Sequence, residues 1–428
     1  MADQFPKSQY PSRNNDHRLS DLFKILEITR NLAINNDLQL LLKQIEEAVV
    51  DIFQCERATV FVYDNKTDEL FSFVDQRQEC VRMSATQGIA GFCFQNSKVC
   101  KVEDAYSDER FNKIIDQKTG FRTSNILACP LYGSHQHRLG VLEVINKSSG
   151  TFNQWDETLI TTFAAQCGMA IYRQFLTEQA IEKQHIKRDL DLARKIQIGL
   201  LPKSPPKVRG FDIFGWSQAA EETGGDFFDF LDLKNGQLLT CIADVAGHGI
   251  GSAILAAECS ALQRSAFTLE PDIPNSLTHI NKLLCENIPD NYFITAFFCS
   301  LNANTSTLDF ISAGHGPVLL FRSQKNLVEH LPIHELPLGV FSDTSYKRLE
   351  SVQLHSGDIL AAFTDGFYEW ENPQGLSFGI ENIAKTIIEN QNLSAKAVIT
   401  AIYQRLLHHC QHTVQADDIT AIIIKKLQ

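Results

Sequence analysis

The chain has 428 residues, 44% hydrophobic and 21% charged, with a net charge of −12. That length fits about two to three domains, and the acidic balance without a basic stripe argues against a nucleic-acid partner. Its 11 cysteines are scattered with no CxxC pair, which argues against a disulfide framework or zinc ribbon and fits a reducing, cytoplasmic setting; no apolar run approaches the ~18 residues of a membrane span.

Residues 1–19 are polar, lack a signal-peptide core and read as a disordered tail. From Leu19 the pattern turns helical, with Ile25, Leu26, Ile28, Leu32, Leu40, Leu41 and Ile45 at about helical spacing. Strand-like runs follow at 57–63, 69–74, 126–132 and 140–147, then a helix-like apolar segment at 159–176. Helices flanking a block of strands predict one α+β domain over 20–176. Residues 177–201 hold no Gly or Pro before Gly199. Ile186, Leu190, Ala193, Ile196, Gln197 and Leu200 make a narrow heptad-like stripe. This predicts a helical, coiled-coil-like linker and a homodimer through it. PKSPP (202–206) breaks the helix. A second domain, 202–428, alternates many strand-like runs with helical segments at 250–269, 273–287 and 394–409, and predicts an α+β sandwich with helices outside.

In ETGGDFFDF (222–230) two glycines stand before Asp226. Glycine pairs mark a sharp bend or a close approach. Between DFFDFLDL and QLLTCIADV lies KNG (234–236), a hairpin signal. A three-residue loop with Gly236 left-handed pairs Leu233 with Gln237 and puts Asp226 opposite Asp244. A two-residue turn puts them on opposite faces. The three-residue loop is favoured, because it gives both aspartates a purpose. Asp365 follows another apolar strand, and Asp417 and Asp418 precede the last one. Clustered carboxylates repel by about 4 kcal/mol per close pair at an effective dielectric of ~20, so they need protons or cations. All-oxygen ligation points to magnesium or manganese. Lys234 is the sole Lys or Arg from Gly210 to Gln263. Side chains here cannot neutralise a phosphate; a pair of metal ions can, and also lowers the pKa of a water.

GGDFFDF, DVAGHG (244–249), AGHGP (313–317), FTDGFYEW (363–370) and ADDIT (416–420) resemble the ordered motifs of the metal-dependent (PPM-type) protein phosphatases, nearest their SpoIIE/RsbU-like branch. ARKIQIGLLP (193–202) resembles that branch's entry helix. The resemblance covers about 190–428. It implies an α-β-β-α sandwich, a site for two Mn²⁺ or Mg²⁺ ions, and hydrolysis of phosphoserine or phosphothreonine on a protein. The substrate it implies is a phosphorylated STAS-type anti-sigma-factor antagonist. Asp226, Asp244, Asp365 and Asp417 match its metal-ligand positions, with Asp244 as bridge. The Val245 carbonyl reaches a metal too, and Asp418 is the lesser ligand of its pair. Phe228 stands where tyrosine is common. His248 and His315, inside glycine motifs, are either acids for the leaving oxygen or loop-fixing residues.

VEDAYSDERFN, DQKTGFRTSNILACPL and NKSSGTFNQWDE resemble GAF domains of the type found in cyclic-nucleotide phosphodiesterases, over about 22–176. Asn146, Lys147, Phe152 and Asp156 match that type's NK…F…D signature, which implies a structural Lys–Asp tie. Asp116 and Thr119 lie in the loop expected to edge a ligand pocket. A cyclic nucleotide, another small ligand, or no ligand are the alternatives. Two further patterns are discounted. Cys167 to Arg173 has the spacing of cysteine phosphatases but lies in an apolar helical run. His408 and His412 stand four apart on an expected helix without a further ligand. The chain is thus expected to be a cytoplasmic signalling phosphatase under a GAF sensor. A catalytically silent phosphoprotein binder, or a cyclic-nucleotide sensor using the phosphatase fold as scaffold, is the rival reading.

Overall fold

The computed structural model describes residues 20–28, 30, 37–74, 79–289 and 291–428. The expected tail at 1–19 and the apolar Leu32 lie outside the described residues. The chain forms two compact units that part between His185 and Ile186.

The first unit begins with helical backbone over 20–28 (α1) and with α2 (Leu38–Phe53). Asp37 starts α2 by accepting the Leu40 amide at 3.0 Å, one of the donors a helix start leaves unpaired. Six strands, β1 (Cys55–Asp64), β2 (Glu69–Val74), β3 (Glu79–Ser84), β4 (Cys100–Val102), β5 (Ile126–Tyr132) and β6 (Arg138–Lys147), make one antiparallel sheet. Its order is β3-β2-β1-β6-β5-β4. The short helices α3 (Gly88–Asn96) and α4 (Lys113–Thr119) lie between β3 and β5. Side chains alternate along β6 with period two. Leu142 and Val144 join the core under α2 and the next helix, while Val141 joins Phe61, Ile89 and Phe94 on the opposite face.

The segments expected as two helices, 159–176 and 177–201, are parts of one helix, α5 (Gln154–Leu200). Gly168 does not break it. A methyl there would lie 2.2 Å from the Tyr132 carbonyl oxygen, so this glycine serves close packing of helix on strand.

The second unit has two antiparallel five-stranded sheets. The strands are β7 (Phe211–Gln218), β8 (Phe227–Asp232), β9 (Leu238–Val245), β10 (Ile294–Asn302), β11 (Thr307–Ala313), β12 (Val318–Arg322), β13 (Leu327–Leu331), β14 (Glu350–Gln353), β15 (Ile359–Phe363) and β16 (Ile419–Lys426). One sheet runs β14-β11-β10-β9-β8 and the other β13-β12-β15-β16-β7. Phe228, Ile242, Phe297, Leu320 and Ile422 fill the layer between them. The helices α6 (Ile250–Leu269) and α7 (Ile273–Asn287) cover the first sheet. A single turn α8 (Gly366–Glu369), α9 (Ile380–Glu389) and α10 (Ala395–Cys410) cover the second. The layers are therefore α-β-β-α. Among the described residues no helix is long and apolar enough to cross a membrane.

Candidate active site

The β8–β9 hairpin closes through a three-residue loop. The Leu233 amide donates to the Gln237 carbonyl at 2.9 Å, and Gly236 is left-handed at φ 79°. Phe227 pairs with Ala243, so one step further out Asp226 lies opposite Asp244. β15 pairs with β16, Phe363 against Ala421, which brings Asp365 and Asp417–Asp418 to neighbouring strand ends. Asp226 is buried, and its Oδ2 accepts the Thr364 hydroxyl at 2.7 Å. That hydroxyl in turn accepts the Thr420 amide at 2.9 Å.

Charge dominates this end of the sandwich. Burial, then Asp244 and Asp418, hold the Asp226 carboxyl well above the usual range. Burial, then Asp365, Asp417 and Asp418, push Asp244 up to about 7. Burial, then Asp417 and Glu369, push Asp365 up to about 6. Burial also raises Asp418. No lysine or arginine is among the leading influences on these carboxyls. Among the described residues no three His, Cys, Asp or Glu side chains stand in a geometry that holds a metal ion unaided. The donor set itself, carboxylates plus the carbonyl of buried Val245, is all oxygen and suits a hard divalent ion.

The glycine pair does a different job from a sharp turn, since neither Gly224 nor Gly225 has a positive φ. They allow contact. A methyl on Gly224 would lie 2.2 Å from Asp418 Oδ2, and one on Gly225 2.9 Å from the Val245 carbonyl oxygen. The Asp418 carboxylate accepts the Ala220 amide at 2.8 Å and the Asp226 amide at 3.4 Å, so it holds the 220–226 loop. Asp417 is exposed, and its Oδ1 accepts the Asp418 amide at 2.8 Å.

Two residues here escaped the sequence reading. Thr364 fixes Asp226 and carried no signal beyond preceding Asp365. Gln197 of α5, taken as a stripe position, donates through Nε2 to the Gly224 carbonyl and accepts the Gly224 amide at 3.2 Å. Of the histidines, His248 is exposed and its Nδ1 lies 3.7 Å from Glu221. His315 is buried, bonded through Nδ1 to Thr295 Oγ1 at 3.0 Å, and burial pushes its pKa down to about 4. Burial that disfavours the imidazolium argues against His315 as the proton donor to a leaving group.

In the first unit a cavity of about 70 Å³ is lined by Arg57, Phe61, Met83, Asp116, Phe121 and Glu143, among others. Both Asp116 oxygens are engaged: the Thr123 hydroxyl (2.8 Å) meets one, the Thr123 amide (2.7 Å) and Tyr106 hydroxyl (3.1 Å) the other. The Thr119 side chain lies outside the described residues. Glu143 is the carboxyl that sequence reading missed; burial pushes it up to about 7. Its signal was a lone acid in the apolar run GVLEVI. Lys147 pairs with Asp156 over buried Phe152, and Asn146 bonds the Ser124 amide and the Arg122 carbonyl. The Cys167 thiol is buried and raised by burial, hence inert. His408 and His412 do not share a helix, because α10 ends at Cys410 and His412 is left-handed at φ 73°.

The chain matches two family models: stage II sporulation protein E (SpoIIE) over residues 234–427, and GAF domain over residues 37–171. It is 29% identical over 263 residues to the phosphoserine phosphatase RsbU of Bacillus subtilis, covering 60% of this chain and 76% of that protein. It is 30% identical over 212 residues to the dual 3',5'-cyclic-AMP and -GMP phosphodiesterase 11 of Drosophila melanogaster, covering 44% of this chain and 14% of that protein. The SiaA-PP2C domain of Pseudomonas aeruginosa superposes with a TM-score of 0.51 at 22% identity, over 58% of this chain and all of that domain, a likeness of fold.

Proposed function

We propose, from the premise that this chain joins a GAF domain to a SpoIIE-type PP2C protein phosphatase domain, that it is a GAF-regulated phosphoserine/phosphothreonine phosphatase acting on a phosphorylated STAS-domain anti-sigma-factor antagonist in the cytoplasm. In this reading residues 20–176 are the sensor, 177–201 the linker and 202–428 the catalytic domain. The RsbU likeness, which covers most of that phosphoserine phosphatase, supports the substrate class.

PP2C/SpoIIE phosphatases depend on metal. The carrying observation is the crowding of carboxyls: those at 226, 244, 365 and 418 are raised by burial and by neighbouring carboxylates, and no basic side chain is among the leading influences on them. Asp226, Asp244, Asp365 and Asp417, with the Val245 carbonyl and Asp418 in support, would hold two Mn²⁺ or Mg²⁺ ions. When bound, these supply positive charge for the phosphoryl oxygens and acidify a water. The chain's own work is positional. Thr364 orients Asp226, the register sets Asp244 against it, and Asp418 pins the loop that leads into Asp226. Near its end the long helix α5 carries Gln197, bonded to that same loop, which supports signalling from sensor to site along the helix. Of the heptad-like stripe on α5, Ile186, Ile196 and Leu200 are exposed, which supports a homodimer. The phosphodiesterase likeness supports a cyclic nucleotide as the sensor's ligand. The present cavity of about 70 Å³ must open for it, since ligand pockets usually start near ~300 Å³.

The test is phosphate release from a serine-phosphorylated STAS protein with Mn²⁺, then with EDTA, for wild type and Asp244→Asn. Turnover should vanish with EDTA and fall on the order of a hundredfold or more in the variant. Metal-independent turnover, or full activity in Asp244→Asn, would remove the reading.

A further inference from the structure

Beside the carboxylate cluster lies a surface with exposed apolar side chains that the catalytic reading does not use. The Ala246 amide, two residues past Asp244, bonds the Phe293 carbonyl at 2.9 Å. The neighbouring Ile294 exchanges both backbone bonds with Leu338, at 2.9 and 2.8 Å. The loop 336–341 therefore borders the strand end that carries Asp244. Phe293, Val340 and Phe341 are 37%, 40% and 59% exposed. With Tyr292 they line a cavity of about 500 Å³. Tyr292 also packs on the glycine loop, 3.5 Å from a methyl placed on Gly247.

The loop behind these exposed apolar tips is pinned from within. Fully buried Asn281 accepts the Gly339 amide and donates to the Phe341 carbonyl, both at 2.8 Å. Buried Tyr346 donates its hydroxyl to the Leu336 and Pro337 carbonyls at 3.0 and 3.2 Å. Two buried polar side chains thus fix a loop whose own apolar tips face outward. Ordering such tips in advance lowers the entropy cost of covering them.

Electrostatics leaves this surface a task. Among the described residues Asp343 is the one charged residue lining the cavity. Among the described residues no basic side chain lines the cavity, so the exposed apolar tips are what it offers the protein part of a phosphoprotein.

We propose that loop 336–341 with Tyr292 and Phe293 is the docking surface for the phosphoprotein substrate, an apolar side chain beside its phosphoserine entering the cavity. The proposal rests on the active-site reading, because a protein substrate that places phosphoserine at Asp244 must cover this surface.

The test compares kcat/KM for a serine-phosphorylated STAS-domain protein with that for p-nitrophenyl phosphate, using the Mn²⁺-loaded full chain. Wild type should prefer the phosphoprotein. In Phe341→Ala and Val340→Ser the ratio should fall about tenfold, mainly through the phosphoprotein's KM. Hydrogen exchange at 288–289, 291–293 and 336–341 should slow when the phosphoprotein binds. An unchanged ratio, a wild type without preference for the phosphoprotein, or a variant that changes only the sedimentation of the chain, as a self-interface would, overturns the proposal. Hydrolysis of neither substrate by wild type strikes the phosphatase reading instead.

Discussion

Gly224→Ala tests why two glycines precede Asp226. The added methyl would sit 2.2 Å from Asp418 Oδ2 and 2.7 Å from its carboxyl carbon, so something must retreat by about 1 Å to reach ordinary contact. If the Asp418 carboxylate swings away, it gives up the Ala220 amide at 2.8 Å and the longer Asp226 contact at 3.4 Å. A hydrogen bond to a charged group is worth about 1.5–3 kcal/mol. If the loop moves instead, both Gln197 bonds to Gly224 are lost, at about 1 kcal/mol each. Either route costs the second unit about 2–3 kcal/mol, and the displacement falls on the loop that carries Asp226. The control is Gly236→Ala at the hairpin tip, where a methyl meets nothing within 4 Å and φ is 79°. It should cost about 1–2 kcal/mol of backbone strain. Urea unfolding, followed by Trp216 and Trp370 fluorescence, gives the stabilities, and calorimetric Mn²⁺ titration gives the metal affinity. If Gly224→Ala matches Gly236→Ala in both, close approach is not what the glycine provides.

Two other outcomes are expected. Glu46 accepts the Val60 amide at 2.9 Å, and burial pushes its carboxyl up to about 7. The folded first unit then binds this proton more tightly than the unfolded chain, so its stability falls as pH rises from about 4.5 to about 7. Glu46→Gln keeps the acceptor and should flatten that slope, raising stability at pH 8 by about 1–3 kcal/mol; an unchanged slope in pH-dependent urea melts refutes the assignment. On α5, Ile186 is 55% exposed, and Ile186→Asp should convert a dimer to a monomer in sedimentation velocity. A wild type that sediments as a monomer at micromolar concentration, or a variant still dimeric, counts against the stripe as an interface.

Much of the fold is legible in the sequence because its signals are local. Apolar runs such as ILAAF and ITAIIIK are buried strands wherever they pack. The KNG tip marks a hairpin, but the three-residue loop, and with it the register that opposes Asp226 and Asp244, shows only in the structure. The edge strands β13 and β14 escaped because half-exposed runs such as LVEHL and ESVQ lack an apolar face. α5 was divided in two because the change from buried to exposed side chains near 176 looks like a boundary, yet backbone hydrogen bonding continues through it.

The sequence by itself determined which residues carry charge and where strands end, hence that aspartates 226, 244, 365, 417 and 418 stand at strand mouths. Only the tertiary structure decided their separate tasks. Asp418 turns to backbone amides, Asp226 receives Thr364 from another strand end, and Gly224 is caught between Asp418 and Gln197. Those partners lie up to 198 residues apart in the chain. No periodicity or spacing encodes such meetings, because they follow from how the two sheets stack.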